Sequence, residues 1–297
     1  MNKAKASGKV YLFGEHAVVY GQEAICAAID LTTIVHVRQS NTISINSKLG
    51  NTGIDYSIHP YVSAAIEAMI PEGTGIEVII ESELPVGSGL GSSAAVTIAT
   101  LYALNKEFDK GLTKMDLAKT GADIERKIQG SASSTDTYVS TFGGVIAVSK
   151  QKKQQLSVPD YAIVIGNTNE FSSTRKLVAD VAKLKDAYPD IINPIIDNIG
   201  DIARQGIGLV QNNDYNAIGQ LMNVNHGLLD ALGVGTCKLS ELVYAARNAG
   251  AYGAKITGAG GGGCMFAICD NPEAVAESIR NAGGDAIITH IRKTGVE

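Results

Sequence analysis

The chain has 297 residues, 45% hydrophobic and 19% charged, with a formal net charge of −5. That length allows one large domain or two ordinary ones, and the balance is that of a globular protein in water. The negative charge and the lack of a Lys/Arg cluster speak against nucleic acid or an anionic membrane as partner, and no apolar run nears the roughly 20 residues that cross a bilayer. Lys150 to Lys153 reads as a short polar turn. The start, Met1-Asn2-Lys3-Ala4-Lys5, leads into no signal-peptide apolar core, so the cytoplasm is the expected compartment. Cys26, Cys237, Cys264 and Cys269 are scattered, with no His at zinc-finger spacing from the last two. Cys264 and Cys269 lie in an apolar run and read as buried free thiols.

In chain order, Gly8 to Phe13, Thr32 to Arg38 and Thr42 to Asn46 read as short strands. Pro60 to Ile70 suits a helix with Pro in its first turn. Ile76 to Glu81 is a strand with Ile76, Val78 and Ile80 on one face, and Ser92 to Leu104 is a helix. Thr113 opens another helix, with Asp116 placed for a capping box. Val145 to Val148 and Tyr161 to Ile165 are strands. Helical patterns then run from Thr174 to about Asn212, interrupted near Pro189 and Pro194. Asp214 caps a further helix ending near Gly233, and Ser240 to Ala249 forms the next. The end reads as loop Gly258 to Gly263, strand Cys264 to Cys269, helix Pro272 to Ala282 and strand Asp285 to Arg292. Two α+β lobes of similar size follow, with Lys150–Pro159 as the boundary region.

Three glycine-rich stretches carry the chemistry. Pro85-Val86-Gly87-Ser88-Gly89-Leu90-Gly91-Ser92-Ser93 joins a strand to a helix. Glycines admit close backbone approach, and the helix start offers unpaired N–H groups and a positive dipole end, so the loop reads as a phosphate cradle. It is neither a Walker A motif nor the dinucleotide fingerprint. The second stretch runs from Lys255 to Gly263. Its Gly258, Gly260 and Gly263 match the dinucleotide spacing, but the next segment reads as a strand, not a helix. It is a strand–loop–strand hairpin whose glycines suit a ligand held close to backbone. The third, Lys9 to Gly21, sets Glu15 and His16 between apolar segments, where charge is costly unless used or paired. A fourth segment, Glu125 to Asp136, ends a helix and leads through small polar residues to a carboxylate. On residues alone, Asp136 is either a turn residue or a general base.

Together these segments resemble the GHMP kinase superfamily (galacto-, homoserine, mevalonate and phosphomevalonate kinases), and within it the mevalonate kinases. The resemblance covers nearly the whole chain and keeps the motif order. It rests on Lys9-Val10 with Gly14 to Gly21, on Gly87 to Ala95, and on Lys255 to Cys264. It implies a two-lobed α+β fold: an N-terminal ribosomal-protein-S5-like α/β lobe, residues 1–155, and a C-terminal ferredoxin-like lobe, residues 156–297. It further implies ATP- and magnesium-dependent phosphorylation of the C5 hydroxyl of mevalonate, a step towards isoprenoids. Asp136 matches the catalytic aspartate, and Lys9 the lysine that pairs with it and stabilises developing charge. Glu125, eleven positions before Asp136, and Ser93 match the magnesium ligands, with Ser92 a phosphate contact. Glu15, His16, Thr174 and Gly260 match the substrate side, with His16 hydrogen-bonding mevalonate.

Two departures stand out. Where animal relatives carry Pro-Arg, this chain has Phe171-Ser172, so an arginine contact is lost or supplied elsewhere. The aspartate loop reads Ala132-Ser133-Ser134-Thr135 instead of carrying Pro-Ser-Gly. The alternatives are phosphomevalonate kinase or another small-alcohol kinase, a dehydrogenase, and a nucleotide sensor without catalysis. A homodimer is compatible with the chain, whose sequence leaves oligomeric state open.

Overall fold

The computed structural model describes residues 1–130, 134–149, 152–158 and 161–297. Parts of the expected boundary region (Lys150, Gln151, Pro159) and of the aspartate loop (Ala132, Ser133) lie outside the described residues.

The first sheet has seven strands: β1 (Asn2–Phe13), β2 (Ala24–Gln39), β3 (Ser44–Ser47), β4 (Gly50–Thr52), β5 (Ile76–Ser82), β6 (Val145–Val148) and β7 (Lys153–Leu156). β2 is its spine. β1 pairs along one edge, while β5 and β6 share the other at opposite ends. The second sheet has order β11-β8-β10-β9, from β8 (Ala162–Asn167), β9 (Gly253–Ile256), β10 (Cys264–Cys269) and β11 (Asp285–His290), all antiparallel. The expected division between residues 155 and 156 falls inside β7, whose Leu156 pairs with Val145 in the first sheet.

Helices α1 (Pro60–Met69), α2 (Ser92–Glu107), α3 (Lys114–Gln129) and α4 (Thr135–Phe142) belong to the first half. Helices α5 (Thr174–Ala187), α6 (Pro189–Asn212), α7 (Tyr215–Ala231), α8 (Cys237–Asn248) and α9 (Pro272–Asn281) belong to the second. Local chemistry fixes several starts. The Thr113 hydroxyl accepts from the Asp116 N–H at 3.2 Å and the Asp116 carboxylate accepts from the Thr113 N–H at 3.0 Å. That reciprocal cap is worth about 1 kcal/mol. Asp214 caps α7 as expected, and Asn271 with Pro272 starts α9. No helix among the described residues is long and apolar enough to cross a membrane.

One buried cluster joins the two sheets: Phe13 and Ile25 from the first meet Ile165 and Phe266 from the second, with Ile202 and Met222 from the helices. A second cluster packs Ile98, Leu101 and Leu117 of α2 and α3 against β-strand residues such as Val35 and Val78. A third fills the second half around Val243, Met265 and Ile279.

Four expectations change. β1 begins at Asn2, not Gly8, because Ala4 and Ala6 are buried strand residues too small to signal a strand. β2 begins at Ala24, not Thr32; Ala24 to Ile29 is buried on both faces and so does not alternate. α6 runs unbroken through Pro194. Losing one hydrogen bond near its start is offset by burial of Ile192, Ile196 and Ile199. Helix α4, which starts directly at Asp136's neighbour Thr135, was not foreseen.

α7 and β9 meet backbone to backbone: a Cβ on Gly219 would lie 2.3 Å from the Tyr252 carbonyl oxygen. Gly219→Ala is expected to cost about 1–3 kcal/mol by overpacking, measured as a lower urea midpoint. An unchanged midpoint would mean that the helix can lift off the strand without penalty.

Candidate active site

The loop between β5 and α2 is shaped by its glycines. Gly87, Gly89 and Gly91 have φ of 68°, 79° and 74°, the left-handed region that side chains resist. Other segments hold the carbonyls of Gly87, Ser88, Gly89 and Leu90. The Lys9 N–H donates to the Leu90 carbonyl and the Lys9 ammonium to the Gly89 carbonyl, both at 2.8 Å. The Cys264 N–H donates to the Ser88 carbonyl at 3.0 Å and the Ser172 N–H to the Gly87 carbonyl at 3.4 Å. Among the described residues, none of the N–H groups from Gly87 to Ala94 has a protein acceptor. Such a row, ending on the N-terminus of α2, is an anion site.

The loop borders a cleft of about 1160 Å³. Val86, Gly87, Ser88, Gly89, Gly91, Ser92 and Ser93 line it. Leu90 does not; it is buried in the core that joins the sheets. Pro85 instead borders a separate small cavity of about 180 Å³.

Lys9, on β1, reaches under the loop to Asp136 at 3.3 Å. The Tyr11 hydroxyl donates to the same carboxylate at 3.2 Å. Lys9 is almost fully buried, whereas a quarter of the Asp136 side chain stays open to the cleft. That is the geometry of an aimed proton acceptor.

The Ser93 hydroxyl donates to Glu125 at 2.8 Å. Burial, reinforced by the nearby negative charge of Asp136, pushes the Glu125 carboxyl up to about 8, with Ser93 and Lys9 opposing less strongly. A cation held by these two oxygens would offset that cost. Among the described residues no group of three His, Cys, Asp or Glu side chains could hold a metal. One carboxylate and one hydroxyl, completed by water and phosphate, is nevertheless a donor set that suits magnesium.

Glu15 lies in the cleft wall, but its carboxylate is bonded to the Lys255 ammonium, and both are fully buried. Lys255 also donates to the Ile256 carbonyl at 2.7 Å and the Tyr11 carbonyl at 3.4 Å. Burial raises the Glu15 carboxyl and lowers the Lys255 ammonium, while their mutual charge opposes both shifts. In this structure Glu15 borders the cleft and also forms a buried ion pair that ties the chain just after β1 to β9.

His16 has φ of 60°, a strained conformation for a branched ring. Its Nε2 lies 2.9 Å from the Ala259 carbonyl. A carbonyl only accepts, so Nε2 carries the hydrogen and Nδ1 is left as an acceptor. Burial lowers the imidazole below its ordinary value and keeps it neutral.

Thr174, the first residue of α5, lines the cleft with Ser172, Ser173 and Arg175. Gly260 does not line it: a Cβ there would meet the Val234 carbonyl at 2.3 Å, so the glycine serves packing behind the cleft. Gly258 and Ala259 line the cleft in that hairpin. The hairpin itself forms as expected between β9 and β10, and Cys264 and Cys269 are buried free thiols. The sequence reading missed Tyr11, Lys255 as the partner of Glu15, and the wall of Lys48, His59 and Tyr61. An isolated Lys at the head of a glycine hairpin was the only available signal for the second.

A family signature for the N-terminal domain of GHMP kinases matches residues 60–144, and one for their C-terminal domain matches residues 207–285. The chain belongs to the GHMP kinase family. Its relatives within that family include mevalonate kinases. The protein of that name from Pyrococcus furiosus is 43% identical, with 99% of this chain and 97% of that one aligned. The one from Archaeoglobus fulgidus is 40% identical over 89% of this chain and 91% of its own. The crystal structure of Methanococcus jannaschii mevalonate kinase superposes with a TM-score of 0.85 at 28% identity, covering 98% of each chain. The crystal structure of L. major mevalonate kinase in complex with R-mevalonate gives a TM-score of 0.87 at 26% identity, covering 99% of this chain and 97% of that one.

Folded, Glu125 keeps its proton up to about pH 8, whereas an ordinary carboxyl releases it near 4.5. The folded state binds more protons across that window, so its stability falls as pH rises through it. Without divalent cation, the melting temperature of the parent protein should drop across the window, and that of Glu125→Gln should drop less. Parallel melting curves for the two would show that Glu125 ionises freely in the fold.

Proposed function

We propose that this chain transfers the γ-phosphoryl group of ATP to the C5 hydroxyl of mevalonate, giving 5-phosphomevalonate and ADP, in the cytoplasm. The observation that carries the reading is Asp136, held by Lys9 and Tyr11 and open to the cleft beside a row of unpaired N–H groups. The mevalonate kinase relatives supply the acceptor's identity.

Phosphoryl transfer needs positioning and charge neutralisation more than covalent chemistry from the protein. The N–H groups of the loop and the α2 dipole hold the β- and γ-phosphates. Magnesium, when bound, neutralises phosphate charge; Ser93 and Glu125 are its protein ligands in this reading. Asp136 accepts the hydrogen bond of the C5 hydroxyl, aims its oxygen at the γ-phosphorus and takes its proton. Lys9 keeps a fixed positive charge at the point of transfer. His16, an acceptor at Nδ1, receives a hydrogen bond from a second substrate hydroxyl. In this division of labour the first lobe, residues 1–155, brings the phosphates and the base. The second, residues 156–297, brings Thr174 and the hairpin that braces the loop.

ADP release should require mevalonate and remain at background with galactose or 5-phosphomevalonate; turnover of either instead would reassign the acceptor. Asp136→Asn should lower kcat by about two orders of magnitude or more with ATP affinity largely kept, and near-normal turnover would remove Asp136 from the chemistry. Ser93→Ala should raise the magnesium concentration needed for half-maximal rate, which an unchanged titration would contradict.

A further inference from the structure

The acceptor reading leaves one charge unassigned. Mevalonate carries a carboxylate at the end opposite its C5 hydroxyl, and a carboxylate in a cleft needs a cation or converging donors. His16 cannot serve: its Nε2–H is committed to Ala259 and its neutral Nδ1 is an acceptor. Lys9 is committed to Asp136 and the Gly89 carbonyl. Arg126 pairs with Asp123. Among the described residues, the cleft-lining cations that form no ion pair are Lys48 and Arg175.

These two stand in different surroundings. Lys48 neighbours Ser47, whose hydroxyl is bonded to His59 at 2.9 Å. Tyr61, near Ser93, lines the same wall with Val96. That is the α2 side of the phosphate loop, aromatic and apolar, suited to a nucleoside. Arg175 belongs to the other side. Ser172 ties its segment to both glycine loops, through its N–H to the Gly87 carbonyl at 3.4 Å and through its hydroxyl to the Gly260 carbonyl. The same hairpin holds His16. The start of α5 is therefore fixed against the part of the cleft that carries the hydroxyl acceptor. Arg175 is the second residue of that helix, where the dipole adds to its charge.

We propose that Arg175 binds the carboxylate of the acceptor substrate and sets the enzyme's preference for an acid. This rests on the mevalonate reading above. It also accounts for the missing arginine in Phe171-Ser172. At position 172 a serine staples the segment to the two loops, and the guanidinium is supplied by position 175.

The test compares mevalonate with its neutral carboxamide, 3,5-dihydroxy-3-methylpentanamide, in the parent enzyme, Arg175→Ala and Arg175→Lys. The parent should favour the acid through KM. Arg175→Ala should raise KM for mevalonate about 10- to 100-fold, the loss of one charge-assisted contact. KM for the carboxamide and for ATP should change little, and Arg175→Lys should recover part of the preference. An Arg175→Ala enzyme with the parent's acid preference would overturn the proposal, as would KM values raised equally for acid and amide. A parent enzyme inactive on mevalonate would instead refute the function itself, so the two failures are distinct.

Discussion

The site depends on a loop whose carbonyls are held from behind. Gly87, Ser88, Gly89 and Leu90 each give a carbonyl to a donor from another segment, and three segments take part: β1, the residues before α5, and β10. Held that way, the loop borders the cleft with N–H groups that have no acceptor among the described residues. The glycines are required twice over, for left-handed backbone and for closeness. A Cβ on Gly91 would come within 2.9 Å of the Lys9 side chain, and one on Gly89 within 2.8 Å of the Thr257 carbonyl. Pre-organisation of this kind places donors where charge develops and spares reorganisation during the reaction.

Charge is arranged around that frame in two tiers. Lys255 and Glu15 form the inner tier, fully buried, with Lys255 also bonded to carbonyls of β1 and β9. A buried pair of this sort adds little net stability, but losing either partner would strand a charge in the core. Its value is positional: it sets β1 against the hairpin. The outer tier is Lys9, Asp136, Glu125 and Ser93. Here the Lys9 ammonium pairs with Asp136, and burial beside that carboxylate leaves Glu125 holding its proton up to about pH 8. A cation bound beside Glu125 and Ser93, as in the proposed reaction, would favour the ionised carboxylate.

The sequence made much of this legible because chemistry there is local. Strand–glycine–helix order gave the loop, the cap at Thr113 gave α3, and the short strand after Gly263 gave the hairpin. What failed was non-local. The pairing of Glu15 with Lys255 was invisible because the partner lies 240 positions away. Gly258 and Gly260 share one glycine spacing, yet the first packs on Gly89 of the phosphate loop and the second on Val234. Helix α4 escaped notice because its eight residues, Thr135 to Phe142, are mostly β-branched, small or aromatic; tertiary burial makes them helical. Ala24 to Ile29 hid half of β2 because a strand covered on both faces has no alternation.

In the proposed reaction, phosphate is held by the backbone of Gly87–Ser93, and the Gly258–Gly263 hairpin braces that loop. Amide chemical shifts in labelled protein, followed while a non-hydrolysable ATP analogue and magnesium are added, test this most directly. The largest amide shifts should fall between Gly87 and Ser93, with smaller secondary changes in the hairpin. Largest shifts in Gly258–Gly263, with the first loop unmoved, would contradict it.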